Sequence, residues 1–130
     1  MAQHNETGRI GESIAARHLE QNGYKITDRN YNKKCGEIDI VAKKKGVMHF
    51  IEVKSTAMSF RDRGVYTLRP EEKVDGRKLK RLSRAVQIYA SERAMSLERE
   101  RWQCDVCVVY LDHEVKQSAI EYIRNILLPE

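Results

Sequence analysis

The chain has no apolar run approaching the ~20 residues that cross a bilayer, which excludes a membrane-spanning helix. Its first residues, Met1-Ala2-Gln3-His4-Asn5-Glu6, lack a basic start followed by an apolar stretch, so no secretory leader is read there and a cytoplasmic protein is expected. Cysteine is scarce. Cys35, Cys104 and Cys107 are odd in number and uneven in spacing, which is no disulfide framework. Cys104 and Cys107 form a C-x-x-C, but no second Cys or His pair completes a four-ligand zinc site. They also fall in a strand-like run, where positions three apart point to opposite faces. His4, His18, His49 and His113 are scattered without ligand spacing. Repeats, linkers, low-complexity segments and coiled-coil heptads are lacking too, which leaves a single domain over residues 1–130.

What is present is a charged, foldable chain. Of its 130 residues 41% are hydrophobic, enough for one core and against wholesale disorder, while 33% are charged. The net charge of +5 suggests a polyanionic partner, most commonly nucleic acid, if the basic residues are gathered in one place.

Periodicity predicts a helix over residues 7–22, with Ile10, Ile14, Ala15 and Leu19 on one side and Asn22-Gly23 as its stop. Two short strands follow over 24–27 and 29–32, broken at Asp28. Residues 37–43 alternate Ile38, Ile40 and Ala42 against Glu37, Asp39 and Val41. Lys44-Lys45-Gly46 is a turn, and 47–55 a second alternating strand. Residues 57–69 read as a loop. Pro70-Glu71-Glu72 suits a first helical turn, so a helix is expected from there to about residue 93 on Leu79, Leu82, Val86 and Tyr89. Strands over 102–111 and 119–124 close the chain. The order is roughly α-β-β-β-α-β-β, an α/β domain around one mixed sheet.

Chemistry concentrates in residues 36–54. If the two strands form a hairpin with Lys45-Gly46 at its tip, antiparallel partners sum to 91. Asp39 then faces Glu52 and Glu37 faces Lys54, with Cβ atoms within about 5.5 Å. Two acids on adjacent strands repel, and a fold rarely keeps such a pair without a cation. Carboxylate oxygens suit a hard divalent ion, Mg²⁺ or Mn²⁺. Lys54 points to the face of Glu52, where it can orient or deprotonate an attacking water, and such an ion would stabilise charge on a phosphate.

Asp39, twelve intervening residues and Glu52-Val53-Lys54 look like the D…E-x-K core of the PD-(D/E)XK restriction-endonuclease-like superfamily. More closely, the chain resembles the YraN family of uncharacterised bacterial proteins, which is similar to archaeal Holliday junction resolvases. The matching pieces are Gly8-Arg9-Ile10-Gly11-Glu12, Gly23-Tyr24, Arg29-Asn30-Tyr31, Gly36-Glu37-Ile38-Asp39, Glu52-Val53-Lys54, residues 78–81 with Ala85, and Asp105-Val106. The resemblance implies a restriction-endonuclease-like fold, a central mixed β-sheet flanked by helices. It implies Asp39 and Glu52 as metal ligands, the Val53 carbonyl as a third, and Lys54 as the catalytic lysine. Glu12 matches the acid that resolvase-like members bring from the first helix; a surface carboxylate near a helix N-terminus is the other role open to it. Glu37 is open between a second ion and a pairing with Lys54. Ile38 stands where the superfamily name has Pro.

The basic residues do gather. Residues 73–84 hold Lys73, Arg77, Lys78, Lys80, Arg81 and Arg84 against Asp75 alone. At helical spacing Arg77, Lys80, Arg81 and Arg84 form a stripe that can lie along a phosphate backbone, although a plain solvated helix face has the same pattern. Lys78 matches a basic position of the family. Arg61, Arg63, Tyr66 and Arg69 on the preceding loop are placed to hold substrate.

These features lead to a Mg²⁺- or Mn²⁺-dependent DNA endonuclease, with branched or junction DNA expected by analogy with the resolvases. Cutting two strands needs two sites, which makes a homodimer attractive. The rivals are a catalytically silent nucleic-acid-binding module of the same fold and a protein-assembly partner using an exposed sheet edge.

Overall fold

The computed structural model describes the backbone of residues 2–61 and 70–129 and the side chains of residues 6–61 and 72–129. Five strands form one sheet in the order β1-β2-β3-β4-β5. They are β1 (Lys25–Lys33), β2 (Gly36–Lys44), β3 (Val47–Ala57), β4 (Trp102–Asp112) and β5 (Gln117–Ile123). The β3–β4 pair is parallel and the other three pairs are antiparallel, so the sheet is mixed. The helices are α1 (Ala2–Gln21), the single turn α2 (Pro70–Lys73) and α3 (Gly76–Glu92). This α/β arrangement is consistent with a restriction-endonuclease-like fold. Among the described residues no helix is long and apolar enough to cross a membrane.

The central strands β2, β3 and β4 are buried on both faces because α1 and α3 cover opposite sides of the sheet. Ala15, Ala16 and Leu19 of α1 pack on Ile40, Ala42, Ile51, Cys107 and Val109. Leu79, Leu82, Ala85, Val86 and Tyr89 of α3 pack on Ile38, Val41, Phe50 and Cys104. Each large side chain removed from water in this way contributes about 1.5–3 kcal/mol. Cys104 and Cys107 therefore serve opposite faces, and burial pushes both thiols up to about 12. They are packing groups.

Two glycines bring the helices unusually close. A Cβ on Gly11 of α1 would lie 1.8 Å from Ser55 Oγ, and one on Gly36 would lie 2.1 Å from the Arg81 carbonyl oxygen of α3. Other glycines serve turns. Gly23 takes φ 86° at the end of α1, and Lys45 and Gly46 both take positive φ at the β2–β3 turn, as a two-residue hairpin with the right twist requires.

Several expectations are corrected. The first helix begins at Ala2 rather than at residue 7. The two short strands are one strand, β1, because the break near Asp28 is a bulge between Ile26 and Asp28 and not a turn. The bulge leaves Asp28 to accept hydrogen bonds from Tyr89 Oη at 2.6 Å and from Arg93 at 3.2 Å. The long helix is divided. Asp75 is extended and its carboxylate accepts the Arg77 N–H at 2.9 Å, so it caps α3 and separates it from α2.

Ile38 also departs from expectation. It packs under α3, whereas Ile40 and Ala42 pack under α1, so the two-residue alternation breaks at Asp39. In the neighbouring strand Asn30, with φ 54°, sits between the partners of Ile38 and Ile40. A left-handed residue there turns the pleat, and β2 turns with it.

Candidate metal and nucleic-acid site

Where that alternation breaks, β2 and β3 stop pairing. Their register follows the sum of 91 from Lys44/Val47 to Ile40/Ile51 and then ends. Asp39/Glu52 and Glu37/Lys54 are thus not ladder pairs as expected. The Asp39 carboxylate instead takes the Val53 N–H at 2.7 Å, replacing a main-chain acceptor as the strands separate.

The separation opens a cavity of about 450 Å³ lined by Thr7, Gly8 and Glu12 of α1, Asp39 of β2, Val53, Lys54 and Ser55 of β3, and Lys78 of α3. Glu52 is buried at 7% exposure and is not on the cavity wall. It nevertheless interacts with the same charges. Burial, with Asp39, Asp75 and Glu37 adding repulsion against the relief given by Lys78, pushes the Glu52 carboxyl up to about 7. Burial also raises Asp39 to about 6; Glu12 and Glu37 add to the rise, while the Val53 N–H and Lys78 oppose it. A buried and a half-buried carboxylate, both raised above the ordinary carboxyl range, are a perturbed pair of the kind that marks functional sites.

Among the described residues no three His, Cys, Asp or Glu side chains are gathered to hold a metal ion. A Mg²⁺ or Mn²⁺ site does not demand three. Mg²⁺ is commonly bound by one or two carboxylates, with waters and substrate phosphates completing its shell. Asp39 and Glu52 supply hard oxygen donors, and the charge of Asp39 helps raise the Glu52 pKa, a repulsion that a cation would relieve. Asp39 on the cavity wall and Glu52 buried behind it have the donor chemistry that such an ion takes.

The remaining residues fall into two groups. Glu12 lines the cavity but is held by Arg29, whose Nη2 lies 3.2 Å from its Oε1. Glu37 faces Arg81 at 3.9 Å instead of Lys54, because the ladder that would oppose Glu37 to Lys54 has already ended. On α3, Arg77, Lys80 and Arg84 are exposed and Arg81 lies with Glu37, so the stripe faces solvent. Lys78 leaves it for the cavity. Arg61, 72% exposed, pairs with Glu114 at 3.4 Å and does not line the site. Arg63, Tyr66 and Arg69 lie outside the described residues.

Two other residues have structural roles. Asp105 is fully buried and accepts bonds from His49 Nδ1 at 2.7 Å, Tyr122 Oη at 2.5 Å, Gln103 Nε2 at 2.8 Å and the Asn125 N–H at 2.8 Å. Burial alone would raise its carboxyl, but these bonds outweigh it and hold the group below the ordinary range. Trp102 packs on Phe50 with centroids 6.0 Å apart and donates to the Leu97 carbonyl at 2.9 Å. Sequence reasoning missed Arg29, Thr7 and Ser55 as members or neighbours of the site. It did have a signal for Lys78, which falls at helical spacing with Leu82 and Ala85.

Comparison with known proteins agrees with the resemblance carried by the motifs. The family model described as "Uncharacterised protein family UPF0102" matches residues 11–109. A UPF0102 protein of Flavobacterium johnsoniae is 36% identical over 127 residues, 96% of each chain. One from Moorella thermoacetica is 40% identical over 119 residues, 91% of this chain and 92% of its own. A third, from Campylobacter lari, is 36% identical over 102 residues, 78% of this chain and 81% of its own.

Proposed function

The chain belongs to the UPF0102 family, the YraN family of the resemblance above, and we propose that it is a metal-dependent endonuclease hydrolysing DNA phosphodiesters. One observation carries this reading: the half-buried Asp39 and the buried Glu52, raised to about 6 and about 7, stand where β2 and β3 part around a cavity that Asp39 and Lys54 line, beside a helix that presents a basic stripe. Asp39, Glu52 and the Val53 carbonyl would hold Mg²⁺ or Mn²⁺. The ion would supply positive charge to a phosphate oxygen and acidify a nearby water.

The chain's own groups do the rest. Lys54 orients the attacking water by its charge, the water's proton passes to solvent, and Asp39 and Glu52 shape the charge around it. Arg77, Lys80, Arg81 and Arg84 hold the flanking backbone by charge, without reading sequence. A phosphorus–oxygen bond forms to water as the P–O3′ bond breaks, leaving a 5′-phosphate by the superfamily's habit. Branched or junction DNA is the first substrate to try, and a dimer would place two sites on it.

The test is cleavage of four-way junction, flap, single-stranded and plain duplex DNA with Mn²⁺ or Mg²⁺. Wild type should cut and Asp39→Ala and Glu52→Ala should not; equal cutting by all three refutes the reading. A silent nucleic-acid-binding module is the second reading, favoured by the engagement of Glu12 with Arg29. It predicts salt-sensitive binding, no cutting and no heat of Mn²⁺ binding in calorimetry.

A further inference from the structure

Lys78 does not belong to the stripe with which it is read in the sequence. The buried residues of α3 are Leu79, Leu82, Ala85, Val86, Tyr89 and Ala90. At about 100° per residue, Lys78 falls between Leu82 and Ala85, near the edge of that buried arc and about 110° round from the centre of the basic stripe; it is exposed, but on the side of the helix that meets the sheet. It stands on the first turn of α3, where the apolar row ends and the cavity begins. Its stem can follow the apolar row while its ammonium reaches the opening, and it lines the same cavity as Asp39 and Lys54. None of Arg77, Lys80, Arg81 and Arg84 lines that cavity. Lys78 is also the cation whose charge opposes the rise at both Asp39 and Glu52.

A count of charge says what a second ammonium would do there. Two carboxylates and one divalent ion cancel. Lys54 balances the single charge of a phosphodiester. Attack by water with loss of its proton adds one negative charge to the phosphate oxygens, and Lys78 is placed to balance it. Resting on the nuclease reading, we infer that Lys78 is a second catalytic cation, gripping the non-bridging oxygens of the phosphate being cut while the stripe holds its neighbours. The benefit then appears mainly in the transition state, so turnover depends on Lys78 more than affinity does.

The experiment compares Lys78→Ala, Lys78→Arg and Arg84→Ala with wild type. Turnover is measured at saturating DNA with Mn²⁺, and DNA affinity is measured without metal over a range of salt. Lys78→Ala should lose about 100-fold in kcat. Its metal-free affinity should stay within about threefold and its salt slope nearly unchanged, whereas Arg84→Ala should lose about 0.9 from the slope. Lys78→Arg, which keeps the charge, should recover most of the turnover. If Lys78→Ala keeps wild-type kcat and loses slope as Arg84→Ala does, Lys78 is an ordinary stripe residue and the inference is overturned. Absence of cutting by wild type on every substrate removes the nuclease reading, and this inference with it.

Discussion

Removing the charge of Glu52 should make the protein more stable and, on the proposed nuclease reading, abolish DNA cutting. The carboxyl is buried among like charges, and its pKa moves from 4.5 in the unfolded chain to about 7 in the folded one. Between those values the folded state keeps a proton that the unfolded state has released. Stability therefore falls as pH rises through the window and is lowest above about 7. The full displacement corresponds to about 3 kcal/mol. Glu52→Gln keeps the shape and removes the charge, so it should gain about 2–3 kcal/mol at pH 8 and only about 0.4 kcal/mol at pH 4.5, where the carboxyl is protonated in the folded state and half protonated in the unfolded one. In a chain of this size the gain raises Tm by roughly 5–10 °C. Urea unfolding of both proteins in a chelator, at the two pH values, measures it. Saturating Mn²⁺, at about a hundred times its Kd, should then stabilise wild type by about 2.7 kcal/mol and leave the variant unmoved. A Gln variant no more stable than wild type at pH 8 would refute the picture of a strained carboxylate pair.

Replacing Arg77, Lys80, Arg81 and Arg84 together with alanine should reduce the slope of log affinity against log salt for duplex DNA by about 3.6, read from fluorescence anisotropy. Asp105→Ala should cost about 3–5 kcal/mol in urea unfolding, because it strands His49, Tyr122 and the Asn125 N–H in the interior. The contribution of Asp105 is present above the ordinary aspartate range and is lost as pH falls through its lowered pKa, so the gap between wild type and variant should narrow in acid. Gly36→Ala should destabilise by about 3 kcal/mol or more, since the added methyl meets main chain of α3 at Arg81 and Ala85. Asp75→Ala should cost about 1 kcal/mol in Tm measurements through loss of the α3 cap.

Much of the site's frame was legible because it depends on local rules. Lys45-Gly46 marks a two-residue turn, which sets the register sum of 91, and the register holds as far as Ile40/Ile51. The C-x-x-C spacing placed Cys104 and Cys107 on opposite faces, as found. Beyond Ile40 the rules stop being local. A period-two reading assumes an unbroken pleat, and the left-handed Asn30 that breaks it lies in a different strand. The pairing of Glu12 with Arg29 crosses 17 residues of chain and depends on how α1 lies over β1. Pro70-Glu71-Glu72 offered a good helix start, and Asp75 was read only as a charge among the basic residues, so its role in restarting the helix as a cap went unread. Lys78 was recoverable, since its helical angle sets it among apolar residues; counting charges in a row concealed it.

The two close approaches, at Gly11 and at Gly36, have an evolutionary consequence. Gly11 fits α1 against Ser55 of β3, Gly36 fits against the main chain of α3, and the acidic cavity lies between the helices so held. Its width is thus set by contacts that no larger residue can make, and most core side chains can drift without changing it. The lining can drift as well: Thr7, Ser55, Lys78 and the outer stripe can be exchanged to suit a different ligand while the opening keeps its size. In such a fold, specificity and architecture are inherited through separate positions.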